Sequence, residues 1–215
     1  MDRTRLAAAR DDLLGALTGP RVVTVGMHWQ QGIVSPADGI GSVFAPVIAR
    51  AGVLPRVAGV YAATRAAGGQ VAHVAVCNDD AVVANCAIYS HAKESSALRC
   101  GTDAVDVVPE VGPAPEDWYL EHHRASVFYD TDLEARARRR QADVVVFTGV
   151  ATNVAVESSV RDASDRGFFA VVLSDCCLAA TSERHAAALR NFEVFAAAVM
   201  TSDELLAHLG APVRP

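Results

Sequence analysis

The residues at 144–173 constrain the fold of this chain more than any other stretch. A continuous apolar run at 144–147 is rich in β-branched side chains, which is typical of a strand buried on both faces. A segment with helical spacing follows and ends at Gly167, and a second apolar run at 169–173 comes directly after it. The pattern predicts a βαβ unit, and in such units ligands bind where the first strand meets the helix N-terminus.

The helix of this unit is predicted from its first turn onwards. Thr152 or Asn153 is a suitable N-cap, since its side-chain oxygen can accept a hydrogen bond from a free N–H group of the first turn. Apolar side chains then recur at the spacing of one helix face, at Val156, Val160 and Ala163.

The same alternation of strands and helices continues along the chain. Further strands are predicted at 22–25, 71–76, 118–120 and 194–200, and helices at 4–17, 56–67, 132–140, 182–190 and 203–209. Residues 32–41 are rich in Gly and Pro and predict a loop, and 78–102 predicts an irregular connection with a short helix near 81–87. Alternating elements of this kind indicate an α/β fold with a mostly parallel sheet covered on both sides, in one domain over 1–215.

Composition excludes several classes of partner. The net charge of −6 gives no basic footprint for nucleic acid, and no apolar run is long enough to span a bilayer. The N-terminus is charged throughout, unlike a signal peptide, so we expect a cytoplasmic protein. The glycines at Gly39 and Gly41 follow no strand and have no third glycine after them, so we expect no dinucleotide cofactor.

Cysteine and histidine positions predict neither disulfides nor a metal site. The five cysteines are an odd number in a chain long enough to fold without cross-links, so we expect reduced thiols. The pair Cys176 and Cys177 lacks a second cysteine or histidine pair and is expected to be structural.

The central stretch resembles the isochorismatase-like superfamily of cysteine hydrolases. The match is carried by the segment Thr148-Gly149-Val150-Ala151-Thr152-Asn153-Val154, and by Val156-Glu157-Ser158 and Ser174-Asp175-Cys176-Cys177 after it. The resemblance implies a three-layer αβα sandwich with about six strands and a homo-oligomeric protein. Metal-binding relatives such as nicotinamidases use an aspartate and histidines, and the spacing of Asp38, Asp79, Asp80 and His91 does not match that set, so we predict no metal.

The catalytic set that the resemblance implies is missing. The hydrolases use an aspartate at the end of the first strand, a lysine and a nucleophilic cysteine, and the three positions are held here by Gly26, His122 and Ala155. The only lysine, Lys93, does not align with the lost one. An engineered replacement at Ala155 would leave the other two positions unexplained, so natural divergence is the simpler explanation.

Two histidines stand near the vacated positions, and histidine titrates near neutral pH. We expect His28 and His122 to be catalytic, through acid and base chemistry without a nucleophile. For ligand binding we expect Trp29 as an aromatic wall, with Ala151, Thr152 and Ala155 at the strand-to-helix turn. His73 is expected in the core, and the side chain of Ala155 is expected to face the cavity.

These residues lead to one preferred function and one alternative. We expect a diverged family member that binds a small metabolite with a carbonyl, amide or carboxylate group. It would act as a lyase, cyclase or vinyl-ether-type hydrolase, in specialised metabolism, without a cofactor. The alternative is a catalytically silent pseudoenzyme that serves as a binding or partner subunit.

Overall fold

The computed structural model describes residues 13, 15–17, 19–35, 39–79, 83–95 and 98–210. The helix expected at 4–17 therefore lies largely outside the described residues, as do Asp38 and Asp80. The described residues form a central sheet with helices on both faces, as the sequence predicts.

The sheet has six parallel strands. They are β1 (Val22–Met27), β2 (Gln70–Val76), β3 (Trp118–His122), β4 (Val144–Val150), β5 (Phe169–Leu178) and β6 (Ala198–Met200). Their order across the sheet is β3-β2-β1-β4-β5-β6, and every neighbouring pair is parallel. The two strands of the predicted βαβ unit, β4 and β5, are neighbours, which confirms that unit.

The helices are α1 (Gln31–Val34), α2 (Gly41–Ala51), α3 (Leu54–Ala66), α4 (Ala87–Glu94), α5 (Leu133–Arg139), α6 (Glu157–Asp165), α7 (Ser182–Phe195) and α8 (Ser202–His208). Short 3-10 turns lie at Gly19–Arg21, Asp103–Val105 and Pro109–Val111. The loop predicted at 32–41 is wrong at both ends, since α1 continues to Val34 and α2 begins at Gly41. The short helix near 81–87 is also misplaced, because α4 begins at its last residue.

The core has two halves, one on each face of the sheet. On one face, α2, α3 and α8 pack side chains such as Phe44, Tyr61 and Leu205 against the strands. On the other face, α5, α6 and α7 contribute Leu133, Val160 and Phe192. Every residue of β1 and β4 is buried, as expected of central strands covered on both faces. The three-layer αβα sandwich is therefore confirmed.

Two of the cysteine predictions have different outcomes. Cys77, directly after β2, forms a disulfide with Cys100, so the expectation of reduced thiols is wrong for this pair. Sequence spacing cannot show that two cysteines lie at bonding distance, which is why the pair was missed. Cys176 and Cys177 are buried free thiols, as expected of structural cysteines, and burial raises the pKa of both.

No single helix among the described residues is long and apolar enough to cross a membrane. The pair formed by α2 and α3, bent by 78°, would reach that threshold jointly, on length and composition alone.

Candidate active site

The carboxyl ends of four strands bring the candidate residues together. His28 follows β1, Asn78 follows β2, His122 ends β3, and Ala151 follows β4. Because neighbouring parallel strands end at the same edge, residues far apart in sequence become neighbours there. Position 76 of β2, for example, pairs with His122 of β3.

His28 and His122 form a buried pair at this edge. Their Nε2 atoms are 2.7 Å apart, a hydrogen-bond distance. The backbone of His28 is left-handed, with a φ of 61°, and its N–H donates to the Val74 carbonyl, which fixes the ring beside β2. The Nδ1 of His122 lies 3.2 Å from the carbonyl oxygen of Ser126, which can only accept, so this nitrogen carries a proton.

The electrostatic environment keeps both rings neutral at pH 7. Burial, reinforced by the neighbouring His122, lowers the pKa of His28 well below its usual value, although a backbone hydrogen bond at Val150 acts in the opposite direction. Burial also lowers the pKa of His122 to about 4. In the neutral pair His122 holds its proton on Nδ1, so His28 donates from Nε2 and keeps an unprotonated Nδ1.

His28 lines a small, partly open cavity with a volume of about 90 Å³. Most of its wall is apolar, with side chains from three parts of the chain, among them Ile33, Phe44, Ile88, Leu98, Val150 and Val154. His28, Asn78, Tyr89, His123 and Arg124 also line it, but the accessible surface of the wall is almost wholly apolar. A wider groove of about 460 Å³ shares Phe44, Ile88 and Val154 with this cavity and carries His91, Glu94 and Arg184.

The structure brings only part of the predicted site to this cavity. His28, Ala151 and Ala155 line it, whereas His122 lies behind His28 and is 1% exposed. Trp29 is buried in the core and does not line it either, since its Nε1 donates to Thr148 Oγ1 at 3.2 Å. Thr152 is turned away as well, because its hydroxyl pairs with Nδ1 of His185 at 2.9 Å.

The turn after β4 differs locally from the predicted helix start. Residues Thr152–Val156 form a π-helical turn before α6, the Val150–Ala151 peptide is cis, and Ala151 occupies the N-cap position without a side-chain hydrogen bond. Thr152 and Asn153 are therefore not caps. Ala155 lines the cavity and also packs with the core residues of the α6 face, so its side chain does not face the cavity alone.

The space beside Gly26, the position that the resemblance assigns to the aspartate, is filled by a side chain from helix α3. A side chain added at Gly26 would overlap the hydroxyl of Tyr61 on α3. That hydroxyl lies 3.0 Å from Thr148 Oγ1, which also accepts from Trp29 and lies 3.3 Å from the Val25 carbonyl. These groups satisfy one another, and burial raises the pKa of Tyr61, so this network is structural.

His73 lies in the core, as expected. It is 2% exposed and its Nε2 lies 2.8 Å from Asp117, which also forms a salt bridge with Arg65. The network holds β2 to the segment before β3 and does not reach the cavity.

Sequence reasoning missed two polar residues of the cavity wall. Asn78 follows the end of β2, a position that marks ligand-binding residues in parallel sheets, and this signal was available. Arg124 also lines the cavity, and its guanidinium carbon lies 4.4 Å from the ring centre of Tyr89.

One group of side chains in the described part of the chain has the composition of a metal site. Ligand atoms of Cys77, Cys100 and His123 lie within 4.8 Å of one another. The two sulfurs form the disulfide, however, and a metal ligand must be a thiolate. Asp79 and His91 are not part of this group.

The fold and site define an α/β protein with a cavity at the carboxyl edge of a parallel sheet. Residues 24–204 match the family model described as Isochorismatase domain. The chain therefore belongs to the isochorismatase family.

Curated relatives support the same assignment. The ureidoacrylate amidohydrolase RutB of Methylobacterium radiotolerans is 40% identical over 109 residues, which are 50% of this chain and 42% of the relative. The uncharacterized isochorismatase family protein YecD of Escherichia coli O157:H7 is 33% identical over 123 residues, 52% of this chain and 65% of the relative. The matches thus span less than two thirds of either relative.

Solved structures share the fold. A cysteine hydrolase from Pseudomonas syringae pv. phaseolicola 1448A superposes with a TM-score of 0.80 at 20% identity, covering 89% of this chain and 93% of that one. An isochorismatase family protein from Burkholderia thailandensis gives a TM-score of 0.72 at 26% identity, covering 89% and 97%.

Proposed function

We propose that this protein is an enzyme that moves a proton on a small metabolite with a carbonyl, amide or carboxylate group, without a covalent intermediate. The observation that carries the proposal is the His28–His122 pair, whose Nε2 atoms are 2.7 Å apart, with His28 on the cavity wall. Elimination, cyclisation and vinyl-ether hydrolysis are reactions of this type.

His28 is the catalytic residue in this proposal. Its neutral ring takes a proton from the substrate, for example from a carbon beside a carbonyl. The electrons of the broken C–H bond form a C=C bond as the leaving group departs with its own electron pair, and His28 then returns the proton to that group. The backbone hydrogen bond at Val150 raises the pKa of His28 and so favours the protonated ring.

His122 acts as a positioning residue. Its Nδ1 is held by the Ser126 carbonyl, so its Nε2 is fixed as the acceptor for His28. This arrangement selects the His28 tautomer with a free Nδ1, much as a carboxylate orients the histidine in other acid–base sites.

The named activity of RutB is amide hydrolysis, but we do not extend that mechanism to this chain. The resemblance assigns the nucleophile to the position of Ala155, whose methyl group cannot form an acyl-enzyme. The position of the base is Gly26, where Tyr61 fills the space.

A silent binding subunit is the second candidate. It is favoured by the buried Tyr61 network and by the low pKa of both histidines, since a weak base transfers protons slowly at neutral pH. In this case the cavity would hold a ligand without converting it.

The test compares wild type with His28→Gln on a pool of small carboxylates, amides and vinyl ethers, followed by mass spectrometry. An enzyme of the proposed kind consumes at least one compound, and His28→Gln lowers that rate by roughly 100-fold or more with little change in KM. Compounds retained by both proteins and converted by neither would favour the binding subunit.

A further inference from the structure

Cys77, Cys100 and His123 form a compact group that the proposed function does not use. Cys77 follows β2 and His123 follows β3, and the two sulfurs are joined in the disulfide. A ring nitrogen of His123 lies within 4.8 Å of both sulfurs. Cys77 is buried, whereas Cys100 and His123 are half-buried, so solvent reaches part of the group. Two sulfurs and an imidazole thus meet at a place that small solutes can reach.

Backbone hydrogen bonds hold the two cysteines side by side without help from the disulfide. The N–H of Asn78 donates to the Leu98 carbonyl at 2.7 Å, and its carbonyl accepts from the Cys100 N–H at 3.1 Å. These two bonds form a bridge of parallel-strand type. The N–H of Cys77 donates to the His122 carbonyl at 3.1 Å. Reduction of the disulfide therefore leaves the two cysteines adjacent, since other bonds fix their backbones.

The His123 ring is held beside the sulfurs. Its Nδ1 lies 2.9 Å from the Cys77 carbonyl oxygen and 3.9 Å from Cys77 Sγ. A thiolate sulfur and an imidazole nitrogen on one tetrahedral Zn²⁺ are about 3.6 Å apart, given Zn–S and Zn–N bonds of about 2.3 and 2.0 Å. The observed separation is close to that value. Oε2 of Glu121 lies 3.4 Å from the same sulfur and adds negative charge, which favours a cation.

We propose that Cys77, Cys100 and His123 bind Zn²⁺ when the disulfide is reduced, so that the cysteine pair alternates between a disulfide and a zinc thiolate site. A dithiol reductant supplies two electrons and two protons. It becomes a disulfide itself, and the Cys77–Cys100 S–S bond becomes two thiols. Zn²⁺ then binds both sulfurs and the imidazole, and the two thiol protons pass to solvent.

The ligand chemistry selects the metal. Two thiolates and one imidazole favour Zn²⁺ over Mg²⁺ or Ca²⁺, which prefer oxygen ligands. The fourth position of the tetrahedron is open to water or to the Glu121 carboxylate. This set differs from the aspartate and histidines of the metal-binding relatives, because two of its three members are sulfurs.

Zinc titration of the full chain in its two redox states tests the proposal. After denaturation, the air-oxidised chain should show three free thiols and the reduced chain five. A phosphine, which is oxidised to its oxide, reduces the protein and is then removed without air. Competition with a zinc indicator should give one Zn²⁺ per reduced chain. The oxidised chain should bind Zn²⁺ roughly 100-fold more weakly or worse, because a disulfide offers no thiolate.

Variants of the reduced chain assign the metal to its ligands. Cys77→Ser, Cys100→Ser and His123→Gln should each lower the Zn²⁺ affinity roughly 100-fold, since each removes one ligand. Cys86→Ser is the matched control, because Cys86 is an exposed cysteine outside the group, and it should bind Zn²⁺ as wild type does. Thermal unfolding checks that the variants are folded. If the buried Cys77→Ser does not fold, Cys100→Ser at its half-buried position carries the test.

Co²⁺ in place of Zn²⁺ gives a spectroscopic readout. Thiolate-to-metal charge-transfer absorption should appear in the reduced wild type and in Cys86→Ser, and it should be weaker in Cys100→Ser.

Equal Zn²⁺ affinity in the two redox states, or undiminished affinity in Cys100→Ser, would overturn the proposal and identify an adventitious ion only. Five free thiols in the air-oxidised chain would overturn it as well. Unchanged turnover in His28→Gln counts against the proposed function alone, since none of these measurements depends on turnover.

Discussion

The hydroxyl of Tyr61 lies in the space that a side chain at Gly26 would enter, although the two residues belong to a helix and a strand. The position that the resemblance assigns to an aspartate is therefore occupied by packing and is not empty space. The hydroxyl bonds to Thr148 on the neighbouring strand, so the position has become part of the core. An aspartate at position 26, as in the hydrolases, would require the Tyr61 side chain to move or to be replaced.

Gly26→Asp should destabilise the fold by about 3 kcal/mol or more, since it combines overpacking with a buried charge. Gly15→Asp is the control, because a side chain added at Gly15 meets no atom within 4 Å. Adding Tyr61→Ala to Gly26→Asp should recover part of the loss. Urea unfolding measures all of these variants, and equal stabilities of Gly26→Asp and Gly15→Asp would show that the Tyr61 contact is unimportant.

Ala155→Cys alone should not produce an amidase. Thiolate attack needs a base and a group that stabilises charge, and removing one member of such a unit costs nearly as much as removing all. The combination with Gly26→Asp and His122→Lys needs Tyr61→Ala as well, for the reason given above. Hydrolysis of simple amides by the single variant at an ordinary rate would mean that His28 or His122 already serves as the base.

The wild-type chain should not hydrolyse a panel of simple amides, nicotinamide included. Of its three free cysteines in the described residues, Cys86 is exposed, while Cys176 and Cys177 are buried with raised pKa values and are poor nucleophiles. Alkylation of Cys86 is the matched control. Amide turnover that disappears on alkylation would identify Cys86 as an unrecognised nucleophile.

The strands were predicted from the sequence more accurately than the helices around them, for physical reasons. Central strands are marked by continuous apolar runs such as that of β4, and all six strands were found. The β6 strand was predicted to begin at Val194, but Val194 is 71% exposed and lies in the last turn of α7, which ends at Phe195. Apolar residues at a helix end can be mistaken for the start of a strand. Helix α2 was missed, since it contains Pro46 and begins at a glycine.

The site was less accessible to sequence reasoning, because its partners come from distant segments. The pairing of His28 with His122 crosses 94 residues and that of Tyr61 with Thr148 crosses 87. Strand ends did indicate the edge where such residues meet, so His28 and His122 were named. Side-chain packing decides whether His28 or His122 lines the cavity, and the sequence pattern does not encode that packing.

Stability should fall as the solution is acidified, because of the buried histidine pair. The pKa of His122 is about 4 in the folded protein and about 6.5 when unfolded, so the unfolded chain binds the proton more readily. Stability is therefore complete above pH 6.5 and is lost progressively as the pH falls towards 4. At pH 5 the loss should be on the order of 2 kcal/mol.

His122→Gln should weaken this dependence between pH 7.5 and 5, and the part that remains is due to His28, whose pKa burial lowers as well. His208→Gln, at an exposed position, is the control for the substitution itself. Urea unfolding at the two pH values gives the comparison. A slope that His122→Gln does not alter would mean that His122 is protonated in the folded protein.

Ala155→Leu should abolish ligand binding in the cavity. Ala155 lines the wall beside Ala151 and Val154, and a leucine side chain would project into a space of only about 90 Å³. Because Ala155 also packs in the core, we expect a stability cost of about 1–3 kcal/mol from overpacking, with the fold retained. Ala186→Leu, on the exposed face of α7, is the control for the added side chain. Calorimetry with a compound that wild type retains from the pool of small carboxylates, amides and vinyl ethers should detect binding to wild type and to Ala186→Leu but not to Ala155→Leu. Undiminished binding to Ala155→Leu would place the binding site elsewhere on the protein.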